Sequence, residues 1–331
     1  MSFVIALSVG LLLTPAARRL GLGLGIVDRP TGDELKIHPH PTSLLGGAAT
    51  ITSVVLAQLL GGGRLSWSVA AAVGVSLLVG LLDDVVSLRP MLRVALIAAS
   101  GGILAAGVIE AEGLTTALGL GVILLVVACA NAVNIVDGQD GLAGGIAALA
   151  GLGTAGVLAL LGDRVGASLG LSLAGALVAF LVWNRPPARI FLGDGGAYAV
   201  GTILAVLAVR AAEAGGLRGL LAVGAALGIL AFEVGFSVIR RVVSGADLAG
   251  GDRLHSYDLA AYRWGRTGST LTFWALGTLC AAAALAIAIL PLLAGALLLG
   301  TGLLLAASWG VWLWSKAASG ARGSLGGPRS A

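Results

Sequence analysis

Apolar runs long enough to cross a bilayer follow one another along nearly the whole 331-residue chain, separated by short polar stretches. About 17 to 25 residues are needed to cross ~30 Å of hydrocarbon as a helix. Such runs fall near residues 1–17, 45–63, 67–82, 91–109, 116–135, 141–161, 165–183, 195–212, 217–238, 270–290 and 292–315. They predict an all-α polytopic integral membrane protein of about eleven transmembrane helices. No soluble-looking block interrupts the series, so residues 1–315 read as a single transmembrane catalytic domain and 316–331 as a short basic cytoplasmic tail. The first run has no basic segment before it and no small-residue cleavage site after it, which favours a first span over a removed signal peptide. No fixed-period repeat and no inverted pair of broken helices, the pattern of a transporter, is visible.

Composition agrees. Hydrophobic residues make up 58% of the chain and charged residues 11%, against roughly 25% charged in soluble domains. Cys129 and Cys280 both lie inside apolar runs, which suits small buried hydrophobes and gives no sign of a disulfide or thiolate metal site. The net charge of +4 suggests nucleic acid only until it is mapped. With alternating loops, 16 of the 20 basic residues fall on one side and only Arg64, Arg164, Arg210 and Arg218 on the other. That asymmetry orients a membrane protein, so the richer side is expected to be cytoplasmic and the N-terminus outside. No nucleic-acid partner is needed. Among 53 glycines, Gly166 and Gly170 form a small-xxx-small pair that serves either packing within the chain or a homodimer.

Acidic residues have little influence on orientation, yet Asp83, Asp84, Asp137, Asp140, Asp194, Asp252 and Asp258 gather on the predicted cytoplasmic side. Asp83-Asp84 ends an apolar run, where a carboxylate opposes the helix dipole and loses hydration. Neighbouring side chains point about 100° apart, so at most one faces a shared site squarely, while the other holds Arg89 or Arg93 or accepts a proton. In Asn131-Ala-Val-Asn134-Ile-Val-Asp137-Gly-Gln-Asp140-Gly, spacing of three keeps the polar side chains near one stripe, and two Asp-Gly steps predict a break in the helix. Asp-x-x-Asp-Gly also matches part of a calcium loop, but the later bidentate Glu is absent.

In Asn184-Arg185-Pro186-Pro187-Ala-Arg189-Ile-Phe191-Leu-Gly-Asp194-Gly-Gly, the prolines stop a helix and Arg185 and Arg189 offer anion-binding forks. A helix starting at Asp194 would favour both its carboxylate and phosphate oxygens. Phe191 either anchors the interface or stacks a nucleobase. The late loop Gly251-Asp252-Arg253-Leu-His255-Ser-Tyr257-Asp258 and the early one with Asp28-Arg29-Pro30, Lys36 and His38 are polar segments with weaker claims. Several inner carboxylates at helix ends repel one another unless a cation intervenes, and all-oxygen ligands favour Mg²⁺ or Mn²⁺ over zinc. Carboxylates, arginines and such a cation at a membrane surface imply phosphates.

Together these motifs resemble the polyprenyl-phosphate N-acetylhexosamine-1-phosphate transferases, a glycosyltransferase family 4-like group, from Asp28-Arg29-Pro30 to Asp258. The resemblance implies transfer of a sugar phosphate from a UDP-N-acetylhexosamine to a polyprenyl phosphate such as undecaprenyl or decaprenyl phosphate. It further implies UMP release, Mg²⁺ and a site on the cytoplasmic face of the plasma membrane. By the same resemblance Asp83, Asp84, Asp137, Asp140 and Asp194 are catalytic, with Asp194, Asp83 and Asn134 on the metal. Lys36, Asn131, Asn134, Asn184, Arg189, Phe191, Arg253 and His255 then bind substrate, Phe191 by stacking on uracil. The muramoyl-pentapeptide branch carries three consecutive histidines in the late loop and the aminosugar branch usually reads Arg-x-His-x-His-His. Here Arg253, His255, Tyr257 and Asp258 stand in those places, which points to a simpler donor such as UDP-N-acetylglucosamine. Gly195-Gly196-Ala197 replaces the family's Ser-Gly-Ser. The rival readings are an ion- or proton-coupled transporter, whose acids should lie near the bilayer midplane, and an inactive lipid-binding relative.

Overall fold

A computed structural model describes residues 1–30, 40–63, 65–112, 116–245 and 254–324. Eleven helices account for most of them: α1 (Ser2–Leu24), α2 (Gly46–Leu60), α3 (Trp67–Val86), α4 (Pro90–Glu112), α5 (Thr116–Val136), α6 (Leu142–Leu160), α7 (Arg164–Asn184), α8 (Gly193–Ala226), α9 (Gly228–Ser244), α10 (Ser256–Ile289) and α11 (Leu292–Ser324). Nine of these are long and apolar enough to cross a membrane, so the chain is an all-α multi-pass membrane protein.

Three expected spans take a different form. The run at 45–63 becomes a helix of only 15 residues. The run at 217–238 is shared between the end of α8 and most of α9, which part at Leu227. The span expected from 270 continues a helix that starts at Ser256 and bends at Gly265, where φ is 74°. Apolar runs report the solvent a segment meets and not its dihedral angles, so such breaks escape a hydropathy reading.

α8 is the central post, packed against α2 to α7 and α9 to α11. Ala and Gly dominate its first leg, up to the bend at Gly216, and nearly every side chain from Ala197 to Ala208 is buried. Small residues let backbones approach closely where lipid offers no hydrophobic drive between helices. At Gly201 a Cβ would stand 2.5 Å from the Cα of Ala130 on α5. At the periphery most leucines of α11 face outward, Leu293 and Leu304 being 73% and 71% exposed, as a lipid-facing helix requires. Gly170 packs on the backbone of Gly151 in α6, so this half of the small-xxx-small pair serves packing within the chain.

Serine and aspartate caps begin two helices: Ser66 accepts the Val69 N–H for α3 and Asp163 accepts the Gly166 N–H for α7. A dipeptide hairpin, β1 (Val27–Asp28) with β2 (Thr42–Ser43), is the only sheet among the described residues. Ser43 also bridges Ile190 in parallel, which ties the segment after α1 to the loop after α7.

Candidate active site

The carboxylates converge through four chain segments. α3 ends with Asp83 and Asp84, α5 runs into Asp137, the turn before α6 holds Asp140, and α8 opens with Asp194. α8 begins abruptly because Gly193 adopts φ 74°, a left-handed conformation that lets the chain turn from Leu192 straight into the helix. Its free N–H groups are capped from another helix: Asp84 Oδ1 accepts the Asp194 N–H at 3.0 Å and Oδ2 the Gly195 N–H at 3.4 Å. A carboxylate is favoured there by unpaired backbone donors and by the positive end of the dipole. Asp84 is thereby committed to aiming Asp194.

Asp83 is buried, and its carboxyl lies against that of Asp194. One oxygen accepts the Leu88 N–H at 2.7 Å, and the other accepts the Tyr198 hydroxyl at 3.0 Å and the Arg93 guanidinium at 3.3 Å. The expectation that one member of the pair holds an arginine is met by Arg93.

Asn134, one turn before the end of α5, donates through Nδ2 to Asp194 Oδ1 at 2.5 Å. It thereby holds one Asp194 oxygen in place. Asn131, a turn deeper, bonds back to the Val127 carbonyl at 2.8 Å and does not reach the acids. Asp137 lies just past the helix. Among the described residues its carboxylate has no hydrogen-bond or ion-pair partner, while Asp194, Asp84 and Asp140 all repel it. Burial first, and then those like charges, hold the Asp137 carboxyl well above the usual carboxylate range.

Two further residues join loops. Asn184, buried at the end of α7, accepts the Gly141 N–H and donates to the Ile190 carbonyl, each at 2.9 Å. Asp140 accepts the Ala188 N–H at 2.9 Å. Asn184, expected to bind substrate, and Asp140, expected to be catalytic, thus hold the Asp137 turn against the loop that leads to Asp194. Phe191 is fixed by its backbone, with its N–H on the Ser43 carbonyl and its carbonyl accepting the Gly46 N–H. Arg189 is exposed, its guanidinium 6.0 Å from the Trp183 ring centre and its carbonyl taken by Arg18. His255 is buried at the start of α10, its Nδ1 paired with Ser237 Oγ at 2.9 Å. Lys36 and Arg253, with Asp252 and His38, lie outside the described residues.

Tyr198, Glu233 and Ser237 were not anticipated as parts of this region. A signal existed for Glu233, a single acid in an apolar run, since intramembrane carboxylates default to function. Tyr198 and Ser237 carry no such mark.

A divalent cation suits this donor set. Asp137 is unpartnered, Asp194 has one oxygen beyond its bond to Asn134, and no three His, Cys, Asp or Glu side chains among the described residues enclose an ion by themselves. Mg²⁺ normally takes one or two protein carboxylates and completes its shell with phosphate and water.

The sequence profile of glycosyl transferase family 4 matches residues 66–212, from the start of α3 through the first leg of α8. That stretch contains Asp83, Asp84, Asp137, Asp140 and Asp194 and stops short of Glu233 and His255. The probable undecaprenyl-phosphate N-acetylglucosaminyl 1-phosphate transferase of Bacillus subtilis is 29% identical over 84% of this chain and 81% of its own length. The phospho-N-acetylmuramoyl-pentapeptide-transferase of Desulforudis audaxviator is 31% identical over 86% of this chain and 96% of its own. That of Symbiobacterium thermophilum is 35% identical over 62% and 70%. With these matches and a carboxylate site at the helix ends of a membrane bundle, the chain belongs to glycosyl transferase family 4 and is a membrane sugar-phosphate transferase.

Proposed function

We propose that this enzyme transfers N-acetylglucosamine 1-phosphate, or a close N-acetylhexosamine equivalent, from a UDP-sugar to a polyprenyl phosphate at the cytoplasmic face, releasing UMP and starting a cell-envelope glycan. The observation that carries the reading is the unpartnered Asp137 beside Asp194, at the dipole end of the helix that Asp84 caps. Asp194 and Asp137 would hold Mg²⁺, which would supply charge neutralisation for the donor diphosphate. Asn134 fixes the Asp194 carboxylate, and Asp84 fixes the helix that carries it. Asp83 acts through Arg93, holding that guanidinium by one ion pair so that its remaining N–H groups can meet an anionic phosphate.

A lipid phosphate oxygen attacks the sugar-bearing β-phosphorus as the bond from phosphorus to the UMP oxygen breaks, and UMP leaves with that bonding pair. The attacking phosphate is already anionic, so no strong base is required. Phe191 stacks the uracil from its pinned backbone, and Lys36, Arg253 and His255 meet the diphosphate and sugar. A second donor, a UDP-N-acetylmuramoyl-pentapeptide, is favoured by the Desulforudis relative, which is matched over 96% of its length. The single histidine of the late loop favours the simpler sugar.

The test is UMP release in detergent from polyprenyl phosphate, Mg²⁺ and each UDP-sugar in turn. Release is expected with UDP-N-acetylglucosamine. Asp194→Asn should lower it by about 10²–10³-fold, the scale of losing one preorganised electrostatic group. No release with either donor sinks the reading, and a phosphorylated or uridylylated enzyme formed with donor alone sinks the single displacement.

A further inference from the structure

α8 is not the only helix here whose start is capped from a neighbour. Glu233 on α9 reaches the first residue of α10, where its carboxylate accepts the Ser256 N–H at 3.4 Å and the Ser256 hydroxyl in a short bond. Its side chain is fully buried at 0% exposure. Such a carboxylate is tolerated only where donors and a helix dipole meet it, and the start of α10 supplies both. The parallel with Asp84 is close, since each cap sits beside a residue of the proposed site: Asp194 in one case and His255 in the other.

The surroundings extend the arrangement. Glu233 Oε2 lies 3.9 Å from His255 Nδ1, and that nitrogen pairs with Ser237 one turn along α9. Tyr257 stacks on the imidazole, with ring centres 5.2 Å apart and planes 3° from parallel. Its hydroxyl donates to the Ile135 carbonyl at 2.9 Å, over Gly138, where a Cβ would collide with it. Residues 255 to 257 are therefore fastened in succession to α9, α9 again and the end of α5.

We propose that Glu233, with Ser237, is a positioning residue for His255, fixing the imidazole against the sugar-diphosphate end of the donor. The proposal rests on the transferase reading above, which assigns His255 to that end. It makes α9 part of donor recognition, although α9 lies wholly beyond the stretch matched by the family profile.

The experiment compares affinities for UDP-N-acetylglucosamine and for UMP by calorimetry in detergent with Mg²⁺ and no lipid acceptor, on the full chain. UMP lacks the sugar and the β-phosphate, so it reads the uridine end alone. Glu233→Gln and Ser237→Ala should each weaken UDP-N-acetylglucosamine by about tenfold and leave UMP within about twofold, tenfold being about 1.4 kcal/mol. Ser237→Thr, which keeps the hydroxyl, should bind both ligands like the wild type. Equal weakening of the two ligands, or no change in either, overturns the proposal. Should Glu233→Gln fail to fold, the Ser237 pair decides alone. A wild type that binds both ligands and releases no UMP when acceptor is added overturns the transferase reading, and the affinity ratio still tests the positioning.

Discussion

Asn184 shows what a single polar side chain contributes at this site. Both of its hydrogen bonds go to backbone groups, one in the Asp137 turn and one before Phe191, so it fastens two site loops together. Asn184→Ala leaves buried polar groups unpaired, at roughly 1–3 kcal/mol each. A melting temperature lowered by several degrees in detergent is the expected result, and an unchanged one would count against the clamp. Asp163 is the contrasting case, away from the site. Burial raises its carboxyl, but the double hydrogen bond from Arg210 and the Gly166 N–H outweigh that and hold it below the usual range. A lowered folded-state value adds stability above the ordinary aspartate pKa of about 3.9, and this is lost as pH falls through the folded value. Asp163→Asn should therefore cost about 1 kcal/mol near neutrality, and the gap to wild type should narrow as pH falls below the ordinary aspartate range, read as melting temperature against pH. The polar character of Asn184 and the acids is visible in the sequence. Which atom each would meet is not, because those partners are backbone groups from other segments.

Among the elements, the crossing of α2, α3 and α8 matters most. Gly80 of α3 lies against the backbone of Asp194 and Gly195, and Gly47 of α2 against Gly196, with no room for a Cβ at either. Close approach is what allows Asp84 to reach the α8 N-terminus. It also suits glycine at 195, where the resemblance expects serine, since a Cβ there would crowd Leu81, and glycine at 196, where the resemblance expects glycine, since a Cβ there would crowd Gly47. Gly80→Ala should push α3 off α8 and lower UMP release by at least about 100-fold. Gly74→Ala, on the same helix but facing open space, should stay within about twofold of wild type. Equal effects of the two would show that helix approach does not set the site. The abundance of glycine pointed to close packing, yet nothing in the chain marked Gly80 and Gly47 as the contact points.

At the scale of the molecule, the ends of α3, α5 and α7, the middle of α9 and the starts of α8 and α10 meet on one side of the bundle, which explains why the acids collect there. The charge asymmetry makes that side the expected cytoplasmic one. A membrane-impermeant maleimide on intact spheroplasts should label Arg218→Cys and spare Arg185→Cys, two exposed positions expected on opposite sides. The reverse pattern would invert the topology.

Membrane residence, the approximate spans and the gathering of carboxylates near helix ends were determined by the sequence alone, because hydrophobic run length and charge placement are local quantities. The motifs likewise carried the family. Only the tertiary structure decided that Asp84 caps α8 while Asp83 holds Arg93, that Asp137 meets no hydrogen-bond or ion-pair partner among the described residues, and that Glu233 fastens the His255 segment. Each of these depends on which donors the fold brings to a carboxylate, and the partners that meet Asp84 and Asp83 from α8 lie more than a hundred positions away, a distance that spacing in the chain does not encode.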